Sequence, residues 1–457
     1  MSALASLKSF VVERQALLMA SLSSLALRVA GLVSTFALGV TLARMLGPAG
    51  YGIYGLVITV VALVMNVALL GTPQLAVREL SIRDARGEWA DLKRLTIRFP
   101  VAVTAASLIL AGGAAALMLV WRDQMTGEQL AAGLLGAALM PAMALTMLLA
   151  AELRGLAMIV KGQLIDNFAR PGLSFVFTLG IVLGGVPLGP AGAIGIQLTV
   201  AVAAVALSLW WVWKALPEPA RHAGPGTARI QWLSSALPLG VVDALRQLDG
   251  AYGVILMGWL ASDVDLGVFR VAVACGTLVN MPLTIAHVVF APTITRLFEF
   301  DRRDELQTLL SAASGAMVFV LSLAVLASWT IGRPLIIFVF GHAYADAWLP
   351  LFLISVAQLI WTFFGMGPIL LAMCQGERHL TKIYAVAEGA AILAAVPLIR
   401  SYGAAGAAAA QMVSAALIGF LSWRYARKVL GLELTFLPLL RAFRRAPMRG
   451  SEAPERS

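Results

Sequence analysis

The stretch Leu42-Ala43-Arg44-Met45-Leu46-Gly47-Pro48-Ala49-Gly50-Tyr51-Gly52-Ile53-Tyr54 separates two long apolar runs, 16–41 and 51–76. Gly47-Pro48 and Gly50-Tyr51-Gly52 supply the backbone freedom and the fixed φ that a sharp turn requires. Each flanking run exceeds the roughly 20 apolar residues needed to cross a bilayer. The chain is therefore predicted to traverse a membrane, turn within this stretch and come straight back.

Composition extends the pattern to the whole chain. Of 457 residues, 60% are hydrophobic and 13% charged, against roughly 25% charged in soluble domains. Twelve spans are predicted: 17–43, 51–77, 99–120, 129–151, 171–188, 191–213, 236–260, 266–290, 309–331, 348–373, 380–399 and 403–423. With the N terminus placed inside, 27 of the 34 Lys and Arg residues fall in the inner segments 1–16, 78–98, 152–170, 214–235, 291–308, 374–382 and 424–457. The outer loops hold only Arg44, Arg122, Arg333 and Arg400, and the spans hold Arg28, Arg246 and Arg270. This bias predicts an even number of spans with both termini cytoplasmic. The formal charge of +10 is then the positive-inside signature and calls for no nucleic acid. The first run is too long for a signal-peptide core and lacks a small-x-small cleavage site, so it reads as a retained anchor. Cys275 and Cys374 lie in or at the ends of spans and read as packing residues.

The loops weigh against chemistry. Segments outside the bilayer are too short to fold as catalytic domains. His222, His287, His342 and His379 are scattered without ligand spacing, so no metal site is predicted. There is no P-loop, nucleophile elbow or HExxH pattern. A membrane-embedded glycan polymerase or ligase is expected to carry a large outer loop or an acidic motif there, and the outer acids are only Asp123, Glu128, Asp263, Asp265 and Asp346. Movement of a substrate across the membrane is expected, and the chain is read as no enzyme.

A shift of about 215 residues brings the pattern back. Gly52 falls on Gly267 and Tyr54 on Phe269; the turn Gly189-Pro190-Ala191-Gly192-Ala193 falls on Gly403-Ala404-Ala405-Gly406-Ala407, and Gln197 on Gln411. Chance matching between Ala- and Gly-rich spans is the alternative. The near-constant offset favours two parallel six-span repeats, related by an axis along the membrane normal. The expected organisation is an N-terminal lobe over 1–213, a Pro- and Gly-containing cytoplasmic linker over 214–235, a C-terminal lobe over 236–424, and a basic tail over 425–457. Arg-rich stretches mixed with apolar residues, 78–98 with Trp89 and the tail with 430–440, are expected to lie on the inner leaflet.

Three stretches resemble one family. They are Leu42-Ala43-Arg44-Met45-Leu46-Gly47-Pro48 with Tyr51-Gly52 and Tyr54, continued by Leu70-Gly71 and Ala76-Val77-Arg78-Glu79-Leu80-Ser81; Phe338-Val339-Phe340-Gly341-His342-Ala343-Tyr344-Ala345-Asp346-Ala347; and Tyr402-Gly403-Ala404-Ala405-Gly406-Ala407-Ala408. Together they resemble the Wzx-type flippases of polysaccharide biosynthesis, in the multidrug/oligosaccharidyl-lipid/polysaccharide exporter (MOP) superfamily. The resemblance implies an all-α, MATE-like fold in a bacterial inner membrane. The implied cargo is a polyprenyl-pyrophosphate-linked oligosaccharide, moved to the outer leaflet by alternating access for O-antigen, exopolysaccharide or capsule. The partners implied are this substrate, membrane lipids, a glycan polymerase and chain-length proteins. A MATE-like drug or metabolite antiporter and a flippase of the peptidoglycan precursor, which usually carries extra helices, are the alternatives.

Charges inside spans are the candidate site residues, because each costs several kcal/mol unless it meets a cavity or a partner. Arg28 lies roughly 17 Å into the first span at 1.5 Å per residue, with no acid in that span. It reads as a cation for an anionic head group or as the partner of an acid on another helix. In Asp243-Ala244-Leu245-Arg246-Gln247-Leu248-Asp249 the spacing of three aligns Asp243, Arg246 and Asp249. The cluster can contact phosphate and carry a coupling proton or sodium ion through Asp243 or Asp249, or it can be a self-neutralising ladder. Arg270 is a third candidate cation, or snorkels to the interface. Arginine's planar fork suits pyrophosphate and carboxylate, and a cation-drug exporter is expected to carry an acid in its first two spans, where this chain has none. Asn66, Gln247 and Asn280 are polar cleft candidates, as are Asn167, Gln197 and Gln411, with interhelical hydrogen bonding as the alternative. Arg170 and Glu388 read as interfacial anchors. No cofactor is expected.

Overall fold

The structure, a computed structural model, describes residues 2–224, 226, 232–373 and 377–435, with the side chains of 2–25, 232–239, 241, 242, 287, 288 and 377 left aside. Cys374, Pro225 of the linker, the tail beyond 435, and the side chains of Lys8, Arg14 and His287 lie outside the described residues. Within them the chain is helical: α1 (Ser2–Leu69), α2 (Thr72–Arg86), α3 (Trp89–Val120), α4 (Gly127–Gly155), α5 (Ile159–Gln163), a π-type turn (Leu164–Ala169), α6 (Arg170–Leu183), α7 (Pro190–Ala215), α8 (Glu218–His222), α9 (Trp232–Leu260), α10 (Asp263–Val279), α11 (Met281–Glu299), α12 (Arg303–Thr330), α13 (Gly332–Phe340), α14 (Trp348–Phe363), α15 (Gly367–Met373) and α16 (Glu377–Tyr425). Seven stretches among these residues are long and apolar enough to cross a membrane: Ala26–Leu69, Trp89–Val120, Gly127–Gly155, Pro190–Ala215, Arg303–Thr330, His342–Phe363 and Arg378–Leu430.

The first and last of these each fold back on themselves. In α1 the reversal is at Gly47 (φ 65°, ψ 177°), with Pro48 opening the second limb. The Tyr51 hydroxyl lies 3.2 Å from where a Cβ on Gly39 would stand; twelve residues of uninterrupted helix would hold the two about 18 Å apart. In α16 the reversal is at Gly403 (φ 53°), and a Cβ on Gly406 would stand 1.9 Å from the Leu398 carbonyl oxygen. Each long helix thus holds two of the predicted spans.

Other predicted spans are interrupted. The second breaks at Leu70-Gly71, both at positive φ, where a Cβ on Gly240 would approach the backbone to 2.6 Å. The eighth is divided at Asn280 between α10 and α11, with Pro282 in the first turn of α11. The tenth is divided by Gly365 (φ 88°), against which the Leu434 carbonyl packs. The fifth loses its end: α6 stops after 14 residues at Leu183, where Gly184 and then Gly185 at positive φ (68°) end the helix. Hydropathy registers only the apolar run; a positive-φ residue inside it stops the helix.

The chain divides into two compact units, 1–247 and 248–457. In the first, α4 is the central element: Ala132, Leu139, Ala144, Leu148 and Leu153 are fully buried. Glycines let neighbours approach closely, as small residues do in membrane helix packing: a Cβ on Gly136 would meet Val57 Cγ1 at 2.3 Å. The Thr126–Gln129 capping box starts α4. In the second unit, Ile294, Leu306, Leu310, Leu370 and Leu434 form one buried cluster. The start of the basic tail, expected on the inner leaflet, instead packs into this unit. Leu434 is fully buried, Ser314 Oγ donates to its carbonyl (2.9 Å), and the Glu433 amide donates to Gln307 Oε1 (2.8 Å).

The repeat has a structural counterpart inside each unit. In the first, Gly50 of the opening turn lies against Pro190 (3.4 Å from a built Cβ to Cγ). In the second, Gly403 lies against Asp265 (4.0 Å). Gln197 Nε2 donates to the Tyr54 hydroxyl, and the corresponding Gln411 and Phe269 both lie against Gly253.

Candidate functional site

Helix α9 carries the polar heptad of the seventh span, and its residues meet different partners. Asp243 is half-buried and accepts a hydrogen bond from Gln74 Nε2 of α2. Gly240, one turn earlier, lets α9 reach the broken backbone at Leu70-Gly71. Arg246 is exposed and Gln247 half-buried. Among the described residues no ion pair joins Arg246 to Asp243 or Asp249, so the ladder does not neutralise itself.

Asp249 belongs to the second unit and enters a site that the sequence spacing does not reveal. Ser414 Oγ of α16 lies 3.1 Å from Asp249 Oδ1 and 2.7 Å from Glu388 Oε1. Glu388 is not an interfacial anchor: it is 1% exposed, and its Oε2 has no hydrogen-bond partner among the described residues. The buried Tyr252 hydroxyl, one helical turn beyond Asp249, lies within electrostatic reach of both carboxyls. A hydroxyl donates one hydrogen at a time, so Ser414 cannot satisfy two carboxylates together. The pair is complete when it shares a proton or holds a small cation between hard oxygen ligands. Shifted back by the repeat offset, 215 residues near Gly267 and 214 near Gly403 and Gln411, these positions are Ser34, Ser174 and Val200, so the acid pair belongs to the second unit alone.

The other candidates are dispersed. Arg28 is exposed on α1 and makes no ion pair among the described residues. Arg270 is half-buried on α10. Asn66 bonds its own helix, donating to the Ala62 carbonyl at 2.8 Å. Asn280 sits in the α10–α11 break with Oδ1 buried and without a hydrogen-bond partner among the described residues. Arg170 is half-buried and turned inward, with Nη1 3.9 Å from Met143 Sδ, not held at an interface. In α4, Glu152 is fully buried, and its carboxyl oxygens have no hydrogen-bond partner among the described residues; its place directly after the long apolar run 130–151 was the available signal. No group of three or more His, Cys, Asp and Glu residues is placed to hold a metal ion among the described residues.

Comparison with known proteins follows this geometry. The family model described as polysaccharide biosynthesis protein matches residues 20–298. Among curated proteins none matches the chain in sequence. Solved structures share the fold at low identity. An inward-facing multidrug resistance MATE family transporter of the MOP superfamily superposes with a TM-score of 0.70 at 14% identity, covering 94% of this chain and 99% of its own. The lipid II flippase MurJ, in an inward closed conformation, superposes at 0.66 and 13% identity, covering 95% and 94%. A MOP superfamily transporter from Pyrococcus furiosus, whose binding pocket has reverse polarity, superposes at 0.61 and 14% identity, covering 90% and 94%. The chain is helical, has several stretches able to cross a membrane and shares its fold with these transporters, and it belongs to the polysaccharide biosynthesis protein family.

Proposed function

We propose that the chain flips a polyprenyl-pyrophosphate-linked oligosaccharide from the inner to the outer leaflet of a bacterial cytoplasmic membrane, by alternating access, for surface polysaccharide assembly. The observation that carries this reading is Arg28: an exposed guanidinium, midway along an apolar span, without an ion pair among the described residues. Such a group does not face hydrocarbon at tolerable cost, so it faces a water-filled cavity, where its fork suits a pyrophosphate. Arg246, exposed on α9, and Arg270 extend the same preference for anions. The Asp249–Glu388–Ser414 cluster supplies the coupling site for a proton or sodium ion, and Asp243, tied to Gln74, holds α9 to α2. The family match supports a glycan pathway, and both cytoplasmic termini follow from the distribution of Lys and Arg.

Arg28→Ala removes charge-assisted hydrogen bonds of about 1.5–3 kcal/mol each, enough to lower flux roughly tenfold or more. Surface polysaccharide in a strain depending on this chain is the readout, with Arg28→Lys expected to restore part of it. Normal polymer from the Ala variant refutes the reading. The likeness to the lipid II flippase favours one second reading, a peptidoglycan-precursor flippase; growth of a strain whose own precursor flippase is depleted would identify it.

A further inference from the structure

Helix α3 joins two cavities of the first unit, one charged and one apolar. At its start a cleft of about 580 Å³ is lined by Lys93, Arg94, Ile97 and Arg98, with Ala223 and Gly226 opposite. Lys93 Nζ donates to the carbonyls of Arg221 (2.9 Å) and Ala223 (3.1 Å), and Arg94 Nη1 donates to that of Gly226. These bonds fix the two cations in place without discharging them. Arg98 is exposed. Asp91, beside Gly226, is outnumbered by the three cations. Farther along, a groove of about 600 Å³ lies between α3, α4 and α7, lined by Leu108, Gly112, Ala138, Leu145 and Val202.

One face of α3 connects them. At about 100° per residue, positions 94, 98, 101, 108 and 112 fall on a single side. From the cations to the groove that side is apolar and open: Ile97 beside the cations, Val101 between, and Leu108 at the groove are 51%, 63% and 56% exposed. Leu108 lies about 15 Å beyond Arg98 along the axis, half of the roughly 30 Å hydrocarbon core. The Lys and Arg bias of segment 78–98 puts the charged end at the membrane surface. Trp210 and Trp213, exposed near the end of α7, form an aromatic belt there, with Lys214 Nζ 4.1 Å from the Trp210 ring centroid.

We propose that this face of α3 is a binding site for an anionic phospholipid, its phosphodiester on Lys93, Arg94 and Arg98 and an acyl chain running past Val101 into the α3–α4–α7 groove. Charge complementarity selects an anionic head group, and the depth of the groove, one leaflet from the cations, selects a two-part ligand over a soluble phosphate. The site lies wholly within the first unit, whereas the acid pair belongs to the second.

The test is native mass spectrometry of the full chain after exchange into vesicles of dioleoyl phosphatidylglycerol or dioleoyl phosphatidylcholine. Wild type is expected to retain phosphatidylglycerol at least tenfold better than phosphatidylcholine, and free glycerol 1-phosphate is expected not to displace it. Arg98→Glu, at an exposed side chain, should lower retention roughly tenfold or more, at about 1 kcal/mol per basic residue near the surface. Gly112→Trp, where a Cβ would meet nothing within 4 Å, fills the groove without disturbing the helix and should lower retention while leaving helicity unchanged. Equal retention of the two lipids, unchanged retention by Arg98→Glu or by Gly112→Trp, displacement by glycerol 1-phosphate, or a co-purifying polyprenyl phosphate in place of the glycerolipid each overturns the proposal.

Discussion

Replacing Glu388 with Gln keeps the shape of the side chain and removes one of two carboxyls around Ser414. At 3.1 and 2.7 Å from one hydroxyl oxygen, Asp249 Oδ1 and Glu388 Oε1 lie within about 5.8 Å of each other. Two full charges at that separation repel by about 3 kcal/mol at an effective dielectric of about 20. The repulsion exists only while both groups are ionised and no cation lies between them, so acid or sodium relieves it. The assay is thermal unfolding of the purified protein in detergent at pH 8 and pH 6, in sodium chloride and in choline chloride. In choline at pH 8 the wild type should be least stable, gaining several degrees on acidification, on addition of sodium, or on both. Glu388→Gln should start near the relieved value and respond to neither. A response to acid alone identifies a proton as the coupling ion, and one to sodium at pH 8 identifies the cation. A Gln variant that responds as the wild type does refutes the paired-acid reasoning.

Two further predictions concern the scaffold. Gly406→Ala places a methyl 1.9 Å from the Leu398 carbonyl oxygen; backbone must move to admit it, and overpacking of this kind costs about 1–3 kcal/mol, so the unfolding midpoint should fall, and an unchanged midpoint contradicts the tight reversal at Gly403. In α2, burial pushes the Glu79 carboxyl up, but hydrogen bonds and charge from Arg83 and Arg78 outweigh it and hold the carboxyl below its ordinary value. Glu79 therefore adds stability at neutral pH that is lost as pH falls through its lowered value. Glu79→Gln should cost up to about 1 kcal/mol at pH 7, and the gap from wild type should close in acid; a gap that persists in strong acid refutes the ion pairs as its source.

Much of this was legible in the chain. The Gly47-Pro48 turn and the apolar runs follow from local composition, because a bilayer demands length and apolarity and a reversal demands glycine or proline. The breaks at Leu70 and Asn280 were not legible. Leu70 is an ordinary apolar residue by composition, and its positive φ accompanies the close approach of Gly240 rather than any turn signal. The acid pair was half legible: Asp249 stood out as a charge in a span, whereas Glu388 looked interfacial by its distance from the end of its run. Ser414 carried no signal at all.

By itself, then, the sequence determined a membrane-crossing helical chain, its reversals and the side chains too costly to bury without purpose. Only the tertiary structure decided which of those side chains meet. Asp249, Glu388 and Ser414 come together through the packing of α9 against both limbs of α16, and a contact between residues so far apart in the chain is set by the path of the helices, which no local periodicity encodes. The α3 face was decided the same way: its cations were visible as a basic segment, but the groove one leaflet deeper exists only where α3, α4 and α7 leave space between them.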